Sequence, residues 1–302
     1  MNIFLLLALF LPSHIALTLM ATFSLLADTG ATRDDPAVLF VPGAFHQATV
    51  YEKVIASLHR DDYRDLTAIE LPSVGALAGR DADVAAVRRI LTQKLEHGKD
   101  VLLVGNSYGG TVIGEAVKGL KNDAVSTPNH ARSSVLNRSP HDLGRGRILG
   151  LMFISGYIPY ITEVTQPETK PNIMVVSPSF FRFTNDGKVY WDNDLANFPP
   201  KKTFYNALNS REQEFWVRRL KFSSFKALAG NATYIPYTGD FKCTYVIGER
   251  DNSVPPDFAQ TFIDQPAAQF EVERLDADHV PMLSKPEDVA SLIKKAVGDK
   301  RI

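Results

Sequence analysis

Gly105-Asn106-Ser107-Tyr108-Gly109, followed at once by Gly110, has the spacing G-x-S-x-G, and the apolar run Val101 to Val104 leads into it. A helix with an apolar face is expected from about Tyr108 to Leu120. A serine on so sharp a strand-to-helix turn is held at strained dihedral angles, and glycines on either side relieve the crowding. Its hydroxyl then stands beside a helix N-terminus whose free N–H groups favour negative charge. That setting suits attack on a carbonyl, and Ser107 is the expected nucleophile.

A serine hydroxyl is a poor nucleophile near neutral pH and needs a base that is itself held by a third group. Of seven histidines, His14 lies in the N-terminal run, His59 and His97 at polar helix ends, and His130 and His141 in a polar stretch. His46 follows the first strand, where a substrate contact or a structural role suits it better than that of base. His279, in the loop after the last strand, is the expected base, because loops that follow parallel strands emerge at one edge of a sheet. The orienting acid should follow a neighbouring strand. Asp251, after Cys243 to Ile247, is the choice, with Glu249 as runner-up. Asp276 and Asp278 are close to His279 in sequence but must point elsewhere if the chain order is Ser, Asp, His.

The charge on a tetrahedral intermediate needs fixed donors, each worth on the order of 3 kcal/mol of barrier. The backbone N–H of Tyr108 is one. The other belongs to the loop Val41-Pro42-Gly43-Ala44-Phe45-His46, from Ala44 or, alternatively, Phe45, with Gly43 letting that backbone approach closely.

The elements around these residues alternate. Strands are expected at Ala37 to Val41, Leu66 to Leu71, Val101 to Val104 and Ile148 to Ser155, then Cys243 to Ile247 and Gln269 to Leu275. Helical spacing runs from about Ala48 to Leu58, from Asp81 and Asp83 through Leu95, around Pro256 to Ile263, and in a final helix. Ser284-Lys285-Pro286-Glu287 reads as its capping box, with Val289, Leu292, Ile293, Ala296 and Val297 facing the core. The order implies an α/β fold, a mostly parallel sheet with helices on both faces. Between about 158 and 240 the alternation stops, and an aromatic-rich, mainly helical lid is expected. Its Trp191, Phe198, Phe204, Tyr205 and Trp216 favour an apolar or aromatic substrate group. With Phe45 and His46, Trp191 and Trp216 are the candidate substrate contacts. The polar stretch Asn122 to Arg147 reads as a surface insertion.

Composition narrows the classes. The chain has 302 residues, 33 basic and 34 acidic, one cysteine and 45% hydrophobic residues. Near-zero net charge gives no general attraction to nucleic acid, and a lone Cys243 excludes an intrachain disulfide and Cys-rich zinc sites. Residues 1–27 are almost uncharged, and the expectation is a signal peptide or leader followed by one domain over 28–302, with no stable membrane span in the mature chain. The product is secreted if that segment is a signal peptide and cytoplasmic if translation starts at Met20. The sequons at Asn137 and Asn231 would permit glycosylation in a secreted product. Oligomeric state is not legible.

VPGAFHQATVYEKV, GNSYGG, YVIGERDNSVPPDFAQ and DHVPMLSKPEDVASLI together resemble the α/β-hydrolase superfamily over nearly all of residues 36–298, in particular the branch of plant methylesterases and hydroxynitrile lyases with its fungal and bacterial relatives. The resemblance implies an α/β-hydrolase fold with Ser107 as nucleophile, Asp251 as acid, His279 as base, and Ala44 with Tyr108 as oxyanion donors. The chain departs from the lyases in two places, with Gly43 where they carry threonine and Val280 where they carry a lysine that receives cyanide. Ser107 also speaks against dehalogenases and epoxide hydrolases, which use aspartate. A serine hydrolase of small to medium esters or lactones is expected, needing no metal or organic cofactor. The alternatives are a silent ligand-binding homologue, or a lyase or isomerase using the same histidine.

Overall fold

The strand β1, Ala37–Val41, is AVLFV with all five residues buried, the pattern of a strand covered on both faces. A computed structural model describes residues 35–120 and 146–299 of the chain. After β1 come β2 (Leu66–Ala68), β3 (Val101–Asn106) and β4 (Ile148–Ile154). The segment that follows carries β5 (Arg182–Phe183), β6 (Lys188–Tyr190) and β7 (Ser223–Ser224), and the main alternation resumes with β8 (Cys243–Gly248) and β9 (Glu271–Leu275). The main sheet has the order β2-β1-β3-β4-β8-β9, and every neighbouring pair is parallel. Central strands β1, β3 and β8 are wholly buried, whereas edge strand β9 alternates between exposed and half-buried residues.

Helices Glu52–Arg60, Arg80–Glu96, Tyr108–Ala116 and Pro256–Ile263 lie in the crossovers that parallel pairing demands, and Pro286–Ala296 follows the last strand. Glu52–Arg60 packs against Pro286–Ala296, and Arg80–Glu96 against Tyr108–Ala116. Val54 and Leu58, Val87 and Leu91, and Val289 and Ile293 supply their buried stripes. The expected α/β architecture is therefore what forms, with the residues that could do chemistry on loops at one end of the sheet. Among the described residues no helix is long and apolar enough to cross a membrane.

Two local expectations are corrected, the end of the second strand and the cap of the last helix. The second strand stops at Ala68 rather than Leu71, because Pro72 follows and the Ser73 N–H turns to the Asp83 carboxylate at 2.9 Å. Asp83 stands in the first turn of its helix, as expected. It is fully buried and also accepts the Tyr108 hydroxyl at 2.8 Å, and burial pushes its pKa up. Ser284 does not cap the last helix. It ends a preceding turn, Pro281–Ser284, and donates its hydroxyl to Asp278 at 2.7 Å, while Lys285 takes the cap position without a side-chain bond.

The segment between β4 and β8 is less helical than expected. Only Ser210–Val217 exceeds a single turn, and β5, β6 and β7 pair as a small antiparallel sheet. Pro159, Pro167, Pro171, Pro178, Pro199 and Pro200 account for this, since each ends or prevents a helix continuing through it. Aromatic rings hold the segment together: Phe180 meets Phe181 at 5.2 Å and Phe204 at 5.5 Å in edge-on contacts. The leader at 1–27, the sequon at Asn137, His14, His130, His141 and most of the polar insertion lie outside the described residues.

Candidate active site

Ser107 sits between β3 and the Tyr108–Ala116 helix at φ 51° and ψ −124°, a conformation that costs a non-glycine residue about 1–3 kcal/mol. Backbone bonds hold it there. Its N–H donates to Ile154 at 3.1 Å, and its carbonyl accepts from Gly110 and Tyr157, each at 2.9 Å. A Cβ at Gly109 would lie 2.4 Å from the Val41 carbonyl oxygen, so no larger residue lets the helix start so close to β1. A Cβ at Gly43 would lie 2.8 Å from the Ser107 Cβ, which shows how tightly the loop after β1 lies against the serine.

His279 donates from Nδ1 to Asp251 Oδ2 at 2.8 Å, and both residues are buried. The other carboxylate oxygen, Oδ1, accepts the N–H groups of Ser253 at 2.7 Å and Val254 at 2.9 Å. With Nδ1 committed as donor, Nε2 is the nitrogen free to accept a proton. The two loops are stitched together by backbone bonds from Glu249 to Leu275 at 2.8 Å and from Arg250 to Ala277 at 2.9 Å. Asn106 adds a third tie, since its amide donates to the carbonyls of Ile154 and His279, each at 3.0 Å.

The competing acids point elsewhere, as the Ser, Asp, His chain order requires. Glu249 pairs with Arg274 at the surface at 2.8 Å, and Asp276 pairs with Arg250 at 2.7 Å. Asp278 is buried but accepts from Ala207 at 3.0 Å and from Ser284 at 2.7 Å.

Of the two residues offered as second oxyanion donor, the Phe45 N–H is taken by the Ser223 hydroxyl at 2.9 Å. That leaves the Ala44 N–H beside the one at the start of the Tyr108 helix. Ala44, Tyr108, Ser107 and His279 line one cleft of roughly 640 Å³, part of it open to solvent. Phe180, Phe181 and Phe204 line it from the segment after β4, and the Ser107 side of its wall includes Phe45.

Three expected substrate contacts do not line this cleft. His46 is buried behind it. Its Nδ1 donates to the Ala44 carbonyl at 2.8 Å, its Nε2 accepts the Tyr205 hydroxyl at 2.9 Å, and burial holds its pKa down, from the ordinary 6.5 to about 4. Trp191 packs 5.8 Å from the Phe45 ring and supports the wall from outside. Trp216 is buried against Phe215 at 5.2 Å. Of the five lid aromatics favoured from sequence, Phe204 alone faces the cleft, and Phe180 and Phe181 take the places expected of the tryptophans. Ring count says nothing about which way a ring points. The parts played by Asn106 and Ser223 carry no mark in the sequence for a different reason: their partners Ile154, His279 and Phe45 are far away along the chain. Cys243 is buried, and burial raises its thiol pKa.

Comparisons with known proteins bear on the family and the fold. The profile of the alpha/beta hydrolase family matches residues 38–292. The alpha/beta hydrolase nvfD of Aspergillus novofumigatus is 26% identical over 268 residues, covering 87% of this chain and 97% of that protein. Methylesterase 7 of Arabidopsis thaliana is 23% identical over 268 residues, covering 87% and 96%. The crystal structure of the pyrethroid hydrolase PytH superposes with a TM-score of 0.63 at 15% identity, covering 87% of this chain and 98% of that one.

Proposed function

The chain belongs to the alpha/beta hydrolase family, and from that premise we propose that it cleaves a carboxylic ester or lactone of small to medium size through an acyl-enzyme. The observation that carries this reading is one uncharged cleft holding both Ser107, on its strained turn, and His279, whose Nδ1 is anchored to buried Asp251. His279 Nε2 takes the Ser107 proton as Oγ bonds to the carbonyl carbon. The tetrahedral oxyanion is held by the N–H groups of Ala44 and Tyr108, and Asp251 stabilises the imidazolium. His279 then returns the proton to the leaving alkoxide, the alcohol departs, and the same histidine activates water to release the acid.

Two positions favour hydrolysis over the lyase chemistry of the resembling branch. A side chain in place of Gly43 would collide with the Ser107 Cβ, so the lyases' threonine has no room in this loop. Val280, where they carry lysine, is buried among apolar neighbours and offers no cation.

The segment between β4 and β8 acts as the lid of this reading. Its phenylalanines select an apolar acyl or alcohol group. The test is turnover of graded esters and lactones by wild type and by Ser107→Ala, beside labelling with a fluorophosphonate probe. Loss of about four orders of magnitude or more in kcat, with labelling at Ser107 in wild type only, is expected. Near-wild-type cleavage by Ser107→Ala would overturn the assignment.

A further inference from the structure

The wall of the cleft at Ser107 contains no Asp, Glu, Lys or Arg among its described residues. A second cavity of roughly 390 Å³ adjoins it and shares Tyr157, Ile173 and Leu228 with it. This annex is different in kind, because Arg80, Lys170 and Glu163 stand in its wall.

Neutral carbonyls hold the two cations. Arg80 donates from Nε to Ala227 and from Nη2 to Leu228, each at 3.1 Å. Lys170 donates to the carbonyls of Ala229, at 2.7 Å, and Gly230, and to the Asn231 side chain at 3.3 Å. Those bonds fix both heads in place without cancelling either charge. Glu163 supplies one carboxylate, with Oε1 also accepting the Tyr160 N–H at 3.0 Å. Asp83 lies nearer the core, where it accepts from Tyr108 and Ser73. Burial and the nearby Arg80 both lower the Lys170 pKa, with Glu163 opposing them. Among the residues that line the annex, two cations therefore meet one carboxylate beside an uncharged cleft, an arrangement that a guest anion would balance.

We propose that the annex binds an anionic group, a carboxylate at the far end of the substrate. The preferred substrate is thus an ester or lactone with an apolar body in the main cleft and a distal carboxylate between Arg80 and Lys170. The inference rests on the hydrolase reading for the site of bond cleavage but not for the binding itself.

Monomethyl esters of α,ω-dicarboxylic acids of graded length provide the test, each compared with the methyl ester of the fatty acid of equal length. Binding is measured by calorimetry on Ser107→Ala and turnover by methanol release on wild type. At the length that spans cleft and annex, the carboxylate-ended ester is expected to bind about tenfold more tightly and to show a matching rise in kcat/KM. Lys170→Met should collapse that ratio, Lys170→Arg should keep most of it, and thermal melts establish that each variant is folded. Equal binding of the two series at every length would overturn the annex. So would a ratio that survives unchanged in folded Lys170→Met. A carboxylate preference in binding without any turnover in wild type would instead support the annex and sink the esterase reading, so the two failures are distinguishable.

Discussion

At the C-terminal edge of the sheet, Ser107, Asp251 and His279 are held by backbone and amide bonds, from Gly110, Tyr157, Ser253, Val254 and Asn106, each between 2.7 and 3.0 Å. The wall opposite them, contributed by the segment between β4 and β8, is held by rings meeting edge to face at 5.2–5.5 Å. Backbone bonds are directional and leave a reacting atom little freedom, whereas ring packing fixes a shape and tolerates exchange of one ring for another. In the proposed reading, position of the chemistry and selection of the substrate are thus entrusted to different forces. The two regions meet where Ser223 holds the Phe45 N–H and Tyr205 donates to His46.

Substitutions at the edge should be the most damaging. Asp251→Asn is expected to lower kcat by about four orders of magnitude with little change in KM, because the imidazole loses its anchor. Glu249→Gln, at the surface partner of Arg274, should leave steady-state kinetics unchanged, and equal losses in the two variants would erase the distinction drawn between these acids.

Where the two regions meet, the effect should be on stability and its pH dependence. Folded His46 titrates near 4 and an ordinary histidine at 6.5. Between those values the unfolded chain binds more protons at this site, so stability rises with pH. The contribution is complete above 6.5 and is lost as pH falls toward 4, up to about 3 kcal/mol in all. Thermal melts from pH 4 to 7 should therefore show a shallower acid decline in His46→Gln than in wild type. Parallel declines would show that His46 is not held neutral.

Smaller effects should separate the regions further. Ser223→Ala frees the Phe45 N–H and loosens the loop that carries Ala44, with about a tenfold fall in kcat expected and substrate preference kept. A change in KM alone would place Ser223 with the selecting wall instead. Phe181→Ala, in the cleft wall, should raise KM a few-fold for bulky esters and leave kcat for short ones within about twofold. A uniform loss across the ester panel would show that the ring supports the reacting groups rather than the substrate.

Much of the fold was legible because parallel strands between crossovers must be short, apolar and regularly spaced, as β1, β3 and β8 are. The candidates Ser107 and Asp251 were legible because each follows such a strand, whereas His279 follows the charged, partly exposed edge strand β9 and was placed by its loop alone. The misreadings share a cause. Ser284 has the spacing of a cap, yet its side chain turns back to Asp278. Trp191 and Trp216 looked like pocket residues on chemistry alone, yet neither lines the cleft, Trp191 packing on Phe45 and Trp216 on Phe215.

The sequence by itself determined the order of the elements and the strained G-x-S-x-G turn, and named Ser107, His279 and Asp251 as the candidates to attack, accept a proton and orient the base. Each depends on local geometry, which neighbouring residues dictate. Only the tertiary structure decided which aromatic rings face the cleft, that Ser223 occupies the Phe45 N–H, and that Arg80 and Lys170 meet one carboxylate in an annex. Those outcomes depend on how loops far apart in the chain close on one another, and no spacing along the chain encodes the direction in which a buried side chain finally points.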